Sequence, residues 1–528
     1  MRLKMPGEFE AGARAGSPSR RNFLKGGAAV AGAAVAGAMV HGTGTMEASP
    51  ASRRDTAIHP LHGKRPNIVF FYTEAQRPDA LSFNGNKLLK TPNMDRIAQE
   101  GVYFNNSFCM NPLCAPARAA TMTGLYSHTT GAYGNDANRA LPADIPVFTD
   151  LLHQAGYEVA ILDKAHLPNG LRERYWDYYC AFNAPVTDYF RPSYFEGRKG
   201  KMGGEKTYRG TFHDDFPNSP ALDWTGEYAD DWFTDKALEW LKEERENPFC
   251  LLLCHQAPHG PYYRPRRYLN LYNGDPIPIP STFDADLQGW PGGKPHAFID
   301  AQNKIGTIET WDRARNLEGL VKDYYAGFRA VDDNIGKILS YLESSNQLDE
   351  TVILHSSDHG YFLGEWRCFD KRFMHEPSIR TPAMIRFPKM FKAGTRIDEM
   401  VLNLDFAPTL LELAGVPVPE AMQGKSLVSL AQGKQTEWRK DWLYEYYDYP
   451  GAEQVRPHRG VRTERYKYIH YFLDPQEYEL YDLKEDPGEL TNLAGSPVHS
   501  QLQRSLAERL EQLRSETGDR TPDAILQG

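Results

Sequence analysis

The sequence is poor in several features that define whole classes of protein. Its six cysteines include no CxxC pair, which argues against a zinc-finger or a redox dithiol motif. The apolar stretch near the start, Gly26 to Val40, is short and consists mostly of alanine and glycine, so it is not expected to span a bilayer. The chain also lacks an excess of positive charge, since 60 Lys and Arg stand against 69 Asp and Glu and the formal net charge is −9. We therefore expect no nucleic-acid partner and no stable membrane anchor.

The first 48 residues differ in composition from the rest of the chain. Arg20 and Arg21 precede Phe-Leu-Lys, the short apolar run follows, and small residues come near Ala48. This order is typical of a twin-arginine export signal, although two arginines beside an Ala-rich soluble helix are the alternative. We predict a signal peptide at 1–48, a linker at 49–64, the twin-arginine translocase as a partner, and a periplasmic or secreted mature protein.

The charge of the mature chain restricts how it can recognise a substrate. Residues 1–48 carry six Lys and Arg against three Asp and Glu, so the rest of the chain has a net charge of −12. An anionic substrate must then be captured by a local basic pocket and not by the overall field.

The remaining pattern predicts an α/β protein of two parts. Continuous apolar runs predict buried strands, helical patterns lie between them, and after Gly424 shorter aromatic runs precede an amphipathic helix. We predict a catalytic domain at 65–424 and a C-terminal subdomain at 425–528, with two long polar insertions, 171–235 and 260–316, shaping a cleft. The predicted core strands are 66–73, 158–163, 248–255 and 351–357, and the predicted helices include 91–101, 317–342 and 498–517.

One stretch, Asn111 to Gly124, carries an unusual combination of residues. It reads NPLCAPARAATMTG and sets a cysteine, a proline and an arginine at fixed spacing. A buried structural cysteine in a turn is the simple interpretation. The Cys-x-Pro-x-Arg pattern, however, resembles the type I sulfatases, with Ala117 where that family usually has serine.

The resemblance implies a specific chemistry for Cys114. In that family a formylglycine-generating enzyme oxidises the cysteine to formylglycine, whose hydrated aldehyde attacks sulfur with one hydroxyl and releases sulfate through the other. Arg118 is implied to stand beside the diol oxygens. The resemblance also implies the alkaline phosphatase-like sulfatase fold, with a large, mostly parallel sheet flanked by helices and a smaller antiparallel sheet with one helix.

The resemblance further implies a metal site, and here the sequence departs from the family. Glu74 matches the first metal-binding aspartate of the family and Ala75 replaces the second, while Asp358 and His359 match the later pair. With the modified Cys114, the implied ligands are Glu74, Asp358 and His359, and the implied ion is calcium, with magnesium as the alternative. Since calcium prefers six to eight oxygens, two carboxylates in place of three predict weaker binding.

Other pocket residues are assigned by the same resemblance. Lys164 and Lys371 are implied to neutralise the sulfate, His259 to protonate the leaving oxygen, and His166 to act as a base. His458, in a C-terminal loop, and His259 are implied to contact the substrate. Each histidine taken singly is as compatible with a structural role.

These observations predict an exported enzyme that hydrolyses O-sulfate esters of a carbohydrate, similar to N-acetylglucosamine-6-sulfatases. Two alternatives remain open at this stage. The first is a phosphodiester or phosphonate monoester hydrolase of the same superfamily, because a similar pocket can hold a phosphoryl group. The second is a non-catalytic, exported glycan-binding protein that has lost its metal through Ala75.

Overall fold

A computed structural model describes residues 64–135, 141–167, 170–207, 228–287, 292–305, 316–434, 436–451 and 453–522. The predicted export signal at 1–48 and the linker up to residue 63 lie outside this part of the chain. None of the described helices combines the length and the apolar character that crossing a bilayer requires.

The strands of the described residues follow the apolar runs of the sequence. They are β1 (Asn67–Thr73), β2 (Val102–Phe108), β3 (Glu158–Lys164), β4 (Tyr178–Phe182), β5 (Ser193–Arg198), β6 (Lys201–Thr207), β7 (Phe249–Cys254), β8 (Thr351–Ser357), β9 (Phe362–Leu363), β10 (Phe369–Asp370), β11 (Ala383–Arg386), β12 (Thr395–Leu402), β13 (Asp441–Tyr446), β14 (His458–Thr463), β15 (Tyr466–Tyr471) and β16 (Glu477–Asp482).

The helices lie between these strands and after the last of them. They are α1 (Pro92–Glu100), α2 (Cys114–Thr123), α3 (Ser127–Thr130), α4 (Phe148–Gln154), α5 (Ala229–Leu241), α6 (His296–Ile299), α7 (Leu317–Ser344), α8 (Glu376–Ile379), α9 (Phe406–Leu413), α10 (Val428–Ala431) and α11 (Ser500–Thr517). The longest, α7, begins after Asn316, whose side chain accepts a hydrogen bond from the Gly319 amide as an N-cap.

The central sheet has the strand order β12-β2-β11-β8-β1-β7-β3-β4-β5-β6. Its middle, β8-β1-β7-β3-β4, is parallel throughout, whereas β11, β5 and β6 run antiparallel to their neighbours. The predicted α/β class with a mostly parallel sheet is therefore confirmed. The insertion at 171–235 does more than was predicted, because it adds β4, β5 and β6 to this sheet.

Both faces of the sheet are covered, as the continuous apolar strands require. In β1 the side chains of Ile68 and Phe70 belong to the core on the α4 and α9 side, and Val69 and Phe71 to the core on the α1, α5 and α7 side. Successive residues of a strand point to opposite faces of the sheet. When helices cover both faces, the residues on each face must therefore be apolar.

The C-terminal part is a four-stranded antiparallel sheet, β13-β14-β15-β16, with α11. A third apolar core joins Trp442 of this sheet and Leu510 of α11 to Phe108 and Met110 at the end of β2. The predicted smaller sheet with one helix is confirmed. The described residues from 64 to 522 belong to one compact unit, and the predicted boundary at 424 lies between its two larger sheets.

Candidate active site

The candidate residues meet where the central parallel strands end. Glu74 follows β1, Lys164 ends β3, His259 follows β7, and Asp358 and His359 follow β8. These four strands are neighbours in the order β8-β1-β7-β3. Open α/β sheets place their ligands at this edge, because the carboxyl ends of parallel strands converge there.

Cys114 lies at the centre of the group, as the first residue of α2. Its Sγ is 3.2 Å from Glu74 Oε1, 3.5 Å from His359 Nε2 and 3.8 Å from Lys164 Nζ. The next residue donates its amide to Asn135 Oδ1 at 3.1 Å, which satisfies one of the free N–H groups at the start of the helix. Cys114 itself has no exposed surface.

The charged neighbours of Cys114 shift the pKa of its thiol. Burial and the charge of Glu74 oppose ionisation, but the ammonium groups of Lys164 and Lys371 outweigh them and hold the pKa well below its ordinary value. The site therefore favours an anionic nucleophile at position 114.

Arg118 connects two carboxylates beneath the cysteine. Its Nη2 lies 2.9 Å from Glu74 Oε2 and 2.9 Å from Asp358 Oδ2, and its Nη1 donates to the Lys164 carbonyl at 2.7 Å. Arg118 thus contacts the acidic residues directly, and its predicted place beside the diol oxygens stays a prediction. Its position one turn after Cys114 on α2 explains how one helix carries both groups.

The two carboxylates differ in their protonation. Burial raises the pKa of Glu74, but Lys164, which donates to Oε2 at 2.7 Å, outweighs it and holds that pKa well below the ordinary range. Burial and the charge of Glu74 raise the pKa of Asp358 to about 6. A bound cation would favour the ionised form of both.

His359 presents its Nε2 to this cluster. Its Nδ1 lies 2.8 Å from the Gly360 carbonyl oxygen, which can only accept, so Nδ1 carries the proton. Nε2 then faces Glu74 Oε1 at 3.4 Å and Asp358 Oδ1 at 3.5 Å. A backbone carbonyl that fixes the second ring nitrogen is the usual support of a metal-binding histidine.

The residues present fit a divalent cation. One ligand atom from each of Glu74, Cys114, Asp358 and His359 lies within 4.8 Å of all the others, and all four residues are buried. This is the ligand set predicted from the sequence. Ala75 adds no side-chain donor, but its amide donates to Asp358 Oδ1 at 3.0 Å and orients that carboxylate.

Two more basic side chains, Lys371 and His259, lie near the Glu74 carboxylate. Lys371 Nζ is 3.8 Å from Glu74 Oε1 and 3.2 Å from Asp370 Oδ1, and His259 Nε2 is 3.9 Å from Glu74 Oε1. His259 Nδ1 donates to the Gly260 carbonyl at 2.8 Å, so its Nε2 is the nitrogen available to a substrate. Burial and the charge of Lys164 lower the pKa of His259.

His166 lies beside the cysteine with its ring fully buried. Burial lowers its pKa to about 4, although the neighbouring Cys114 thiol opposes the shift. A neutral imidazole is the form that a general base requires.

His458 is placed differently from the other candidates. It is buried in β14, where its Nδ1 lies 2.9 Å from the Arg456 carbonyl and its ring packs near Tyr444 and Tyr471. Burial lowers its pKa to about 3. Among the described residues its contacts are with these groups and not with the Glu74 cluster, so substrate contact by His458 stays a prediction.

Two residues of the site could not be found from the sequence. Tyr324, on α7, donates its hydroxyl to the Ala75 carbonyl at 2.6 Å, and Asn135 binds the start of α2. Neither belongs to a motif, and Tyr324 lies some 250 positions from its partner in an ordinary amphipathic helix. Tyr324 meets Ala75 only because α7 and β1 share one apolar core.

Comparisons with known proteins agree with this geometry. The family described as Sulfatase matches residues 66–416, N-sulphoglucosamine sulphohydrolase, C-terminal, matches residues 364–516, and the twin-arginine translocation pathway signal sequence matches residues 17–37. The chain is 34% identical to an N-acetylglucosamine-6-O-sulfatase of Bacteroides thetaiotaomicron, over 87% of this chain and 88% of the relative. It is 27% identical to a Ulvan-active sulfatase of Formosa agariphila, over 86% of this chain and 82% of the relative.

Solved structures give the same result for the fold. A protein solved in complex with its substrate D-glucosamine-2-N,6-O-disulfate superposes with a TM-score of 0.77 at 33% identity, covering 87% of this chain and 99% of that one. The phosphonate monoester hydrolase of Agrobacterium radiobacter superposes with a TM-score of 0.67 at 22% identity, covering 86% and 96%.

Proposed function

Because the chain belongs to the sulfatase family, we propose that it is an exported hydrolase of O-sulfate esters on a carbohydrate related to 6-O-sulfated N-acetylglucosamine. One observation carries the proposal: a buried cysteine lies among two carboxylates, an imidazole and two lysines at the carboxyl edge of the sheet. The choice of sugar is supported by the relatives of similar length, one named for that activity and one solved with a 6-O-sulfated glucosamine.

The proposal assigns the nucleophile to position 114. Formylglycine formed there by a formylglycine-generating enzyme would supply a hydrated aldehyde, one oxygen of which attacks sulfur while the other allows the sulfate to leave. Glu74, Asp358 and His359 would hold a divalent ion, which we take to be calcium, and that ion would polarise the sulfate. Arg118 keeps both carboxylates oriented through its bonds to Glu74 and Asp358.

The cationic side chains receive the sulfate. Lys164 and Lys371 lie on either side of Glu74 and carry the positive charge that an incoming monoanionic ester requires. Their charge is already balanced in part by Glu74 and Asp370, so the site is prepared for an anion without strong repulsion between its own cations.

Proton transfers are assigned to the two histidines. When the S–O bond to the sugar breaks, the leaving oxygen takes a proton from His259 Nε2. Burial and the charge of Lys164 lower the pKa of His259, and the negative charge of a bound ester would oppose that shift. The neutral His166 ring accepts the proton from the second hydroxyl at position 114.

Paired assays on the intact, metal-loaded protein test the proposal. Mass analysis of the Cys114 peptide first establishes the conversion of thiol to aldehyde. Release of sulfate from 6-O-sulfated N-acetylglucosamine is then compared with hydrolysis of an aryl sulfate and an aryl phosphonate, with Cys114→Ala as the control. We expect sulfate release that the control lacks.

Two results would contradict it in different ways. Faster hydrolysis of the phosphonate than of either sulfate would indicate a phosphonate monoester hydrolase of the same fold. Binding of the sulfated sugar without turnover of any ester by the converted protein would indicate a glycan-binding protein.

A further inference from the structure

Before any modification, four donor atoms of three kinds lie within 4.8 Å of one another in the site. They are a thiol sulfur, an imidazole nitrogen and an oxygen from each of two carboxylates, contributed by Cys114, His359, Glu74 and Asp358. This composition is typical of a site for a borderline-soft transition metal and not for calcium, which is bound through oxygens.

The distances from Cys114 and His359 to their neighbouring donors are close to those of tetrahedral coordination. Metal–ligand lengths of about 2.0–2.3 Å around zinc imply distances of about 3.3–3.8 Å between neighbouring ligands. Cys114 Sγ lies 3.2 Å from Glu74 Oε1 and 3.5 Å from His359 Nε2. His359 Nε2 in turn lies 3.4 Å from Glu74 Oε1 and 3.5 Å from Asp358 Oδ1.

The donors are also held in place by a second layer of bonds. The Gly360 carbonyl fixes the His359 ring so that Nε2 faces the cluster. Arg118 binds one oxygen of each carboxylate, and Lys164 also binds Glu74. Supports of this kind orient ligands and strengthen metal binding, because less freedom is lost when the metal arrives.

We propose that the protein with an unmodified Cys114 binds Zn²⁺ at Cys114, His359, Glu74 and Asp358, and that oxidation of Cys114 changes the preference of the site to a hard, oxygen-bound cation. Binding replaces the thiol proton by a sulfur–zinc bond, and the proton leaves to solvent. In this conversion the formylglycine-generating enzyme uses an external two-electron oxidant such as dioxygen, the C–S bond is replaced by a carbonyl, and the sulfur leaves as sulfide. The hydrated aldehyde then offers oxygen donors, which a soft metal favours less. The inference goes beyond the proposed hydrolysis and does not depend on which ester is cleaved.

Cobalt(II) provides a direct probe, since it occupies zinc sites and shows a sulfur-to-metal absorption band in the near ultraviolet. The full-length protein is made in cells without a formylglycine-generating enzyme, its thiol state is confirmed by mass, and the metal-free protein is titrated with Co²⁺. We expect the band to appear with one equivalent and to disappear when Zn²⁺ displaces the cobalt, but not when Ca²⁺ is added.

Substitutions of single cysteines show which residue supplies the sulfur ligand. Cys114→Ser is expected to lose the band and to weaken Zn²⁺ binding by more than the roughly 10- to 100-fold that the loss of an outer-shell partner costs. Cys250→Ala removes another buried thiol, on β7 and outside the ligand set, and is expected to keep the band. The converted wild-type protein lacks the thiol without any substitution, so it must also lack the band even if Cys114→Ser fails to fold.

Three results would overturn the inference: no band with the thiol form, a band that survives in Cys114→Ser or in the converted protein, or equal Zn²⁺ affinity of the thiol and converted forms. Sulfate release by the converted protein is measured separately. Failure of the zinc site therefore leaves the proposed hydrolase intact, and failure of the hydrolase leaves the zinc site intact.

Discussion

The hydroxyl of Tyr324 lies 2.6 Å from the carbonyl oxygen of Ala75, and the same hydroxyl accepts the amide of Arg77 at 3.3 Å. Ala75 has a left-handed backbone, with φ of 56°, which an alanine adopts only under constraint. Tyr324 therefore fixes the turn that presents Glu74, although it touches no reacting group itself.

Replacing Tyr324 by Phe tests this positioning role. We expect weaker binding of Ca²⁺ and a lower kcat, because Glu74 loses its fixed turn, together with a loss of stability of about 1 kcal/mol for each of the two hydrogen bonds of the hydroxyl. Tyr157→Phe is the matched control, since its buried hydroxyl donates to the Pro66 carbonyl at 2.9 Å, at the opposite end of β1. Equal effects of the two variants on Ca²⁺ binding would reduce Tyr324 to a structural residue.

Cys114→Ser and Cys114→Ala are expected to abolish turnover while the protein stays folded. The loss is that of a covalent nucleophile, and the residue lies at the start of a helix that its replacement can continue. Sulfate release and thermal unfolding are the measurements. A second substitution in the same unit, such as His259→Ala, should add little to the loss. Turnover above a trace in either variant would argue against formylglycine.

Ala75→Asp is expected to tighten Ca²⁺ binding, by roughly ten- to a hundredfold for one added charged ligand. The backbone of Ala75 lies beside Asp358 Oδ1, and aspartate tolerates a left-handed conformation better than alanine does. Ala75→Asn, of the same shape without the charge, is the control. Calcium titration and metal content are measured for wild type and both variants to compare their Ca²⁺ affinity. Unchanged affinity in Ala75→Asp would mean that the wild-type ligands already complete the site.

The role of His259 is tested through pH and the leaving group. With a sugar sulfate, kcat/KM should fall as pH rises through the lowered pKa of His259, because the acid form is lost. His259→Gln should reduce kcat/KM by about 10²–10⁴-fold and remove that limb of the profile. An aryl sulfate with an acidic leaving group needs no proton and should be affected much less. The same loss with both substrates would argue against a general acid.

His128 links the stability of the C-terminal helix to pH. Its Nδ1 lies 2.8 Å from Glu445 Oε2 and its Nε2 lies 3.0 Å from the Thr517 carbonyl, so both nitrogens must donate and the ring is cationic. Burial lowers the pKa of His128, but Glu445 outweighs it and raises the pKa above the ordinary value.

The sign of the effect follows from linkage. The stabilisation is complete below the ordinary pKa of about 6.5 and is lost as pH rises through the higher folded pKa. The difference in Tm between wild type and His128→Gln should therefore be larger at acidic than at alkaline pH. His153→Gln, at a partly exposed ring, is the control. A difference that does not change with pH would exclude the charged ring.

The sequence predicted the parts of the fold whose pattern is local. The bounds of β8 and the start of α7 were predicted to the residue, because a continuous apolar run and an N-capping asparagine mark them. One predicted aromatic run, 460–472, is two strands, β14 and β15, since a turn at Glu464 and Arg465 breaks it. Strands β2, β11 and β12 were missed, because their short mixed sequences gain apolar contacts only within the sheet.

The site residues that belong to sequence motifs could be predicted, and the others could not. Glu74, Cys114, Asp358 and His359 converge as expected, because strand ends are fixed by the sheet. The partners of Arg118 were not predictable, since they depend on which way one helix turns its side chain. The aromatic surroundings of His458 were not predictable either, because Tyr444 and Tyr471 come from two other strands, β13 and β15.

The complete burial of Cys114 has a consequence for maturation under the proposed function. In the folded protein the sulfur lies among Glu74, His359 and Lys164, so a maturing enzyme would have to reach it before the chain folds around it. Oxidation would then compete with folding, because a chain that folds first encloses its own unreacted thiol. On that proposal, the rate at which the segments around residues 74, 114 and 358 come together sets the fraction of molecules that become active.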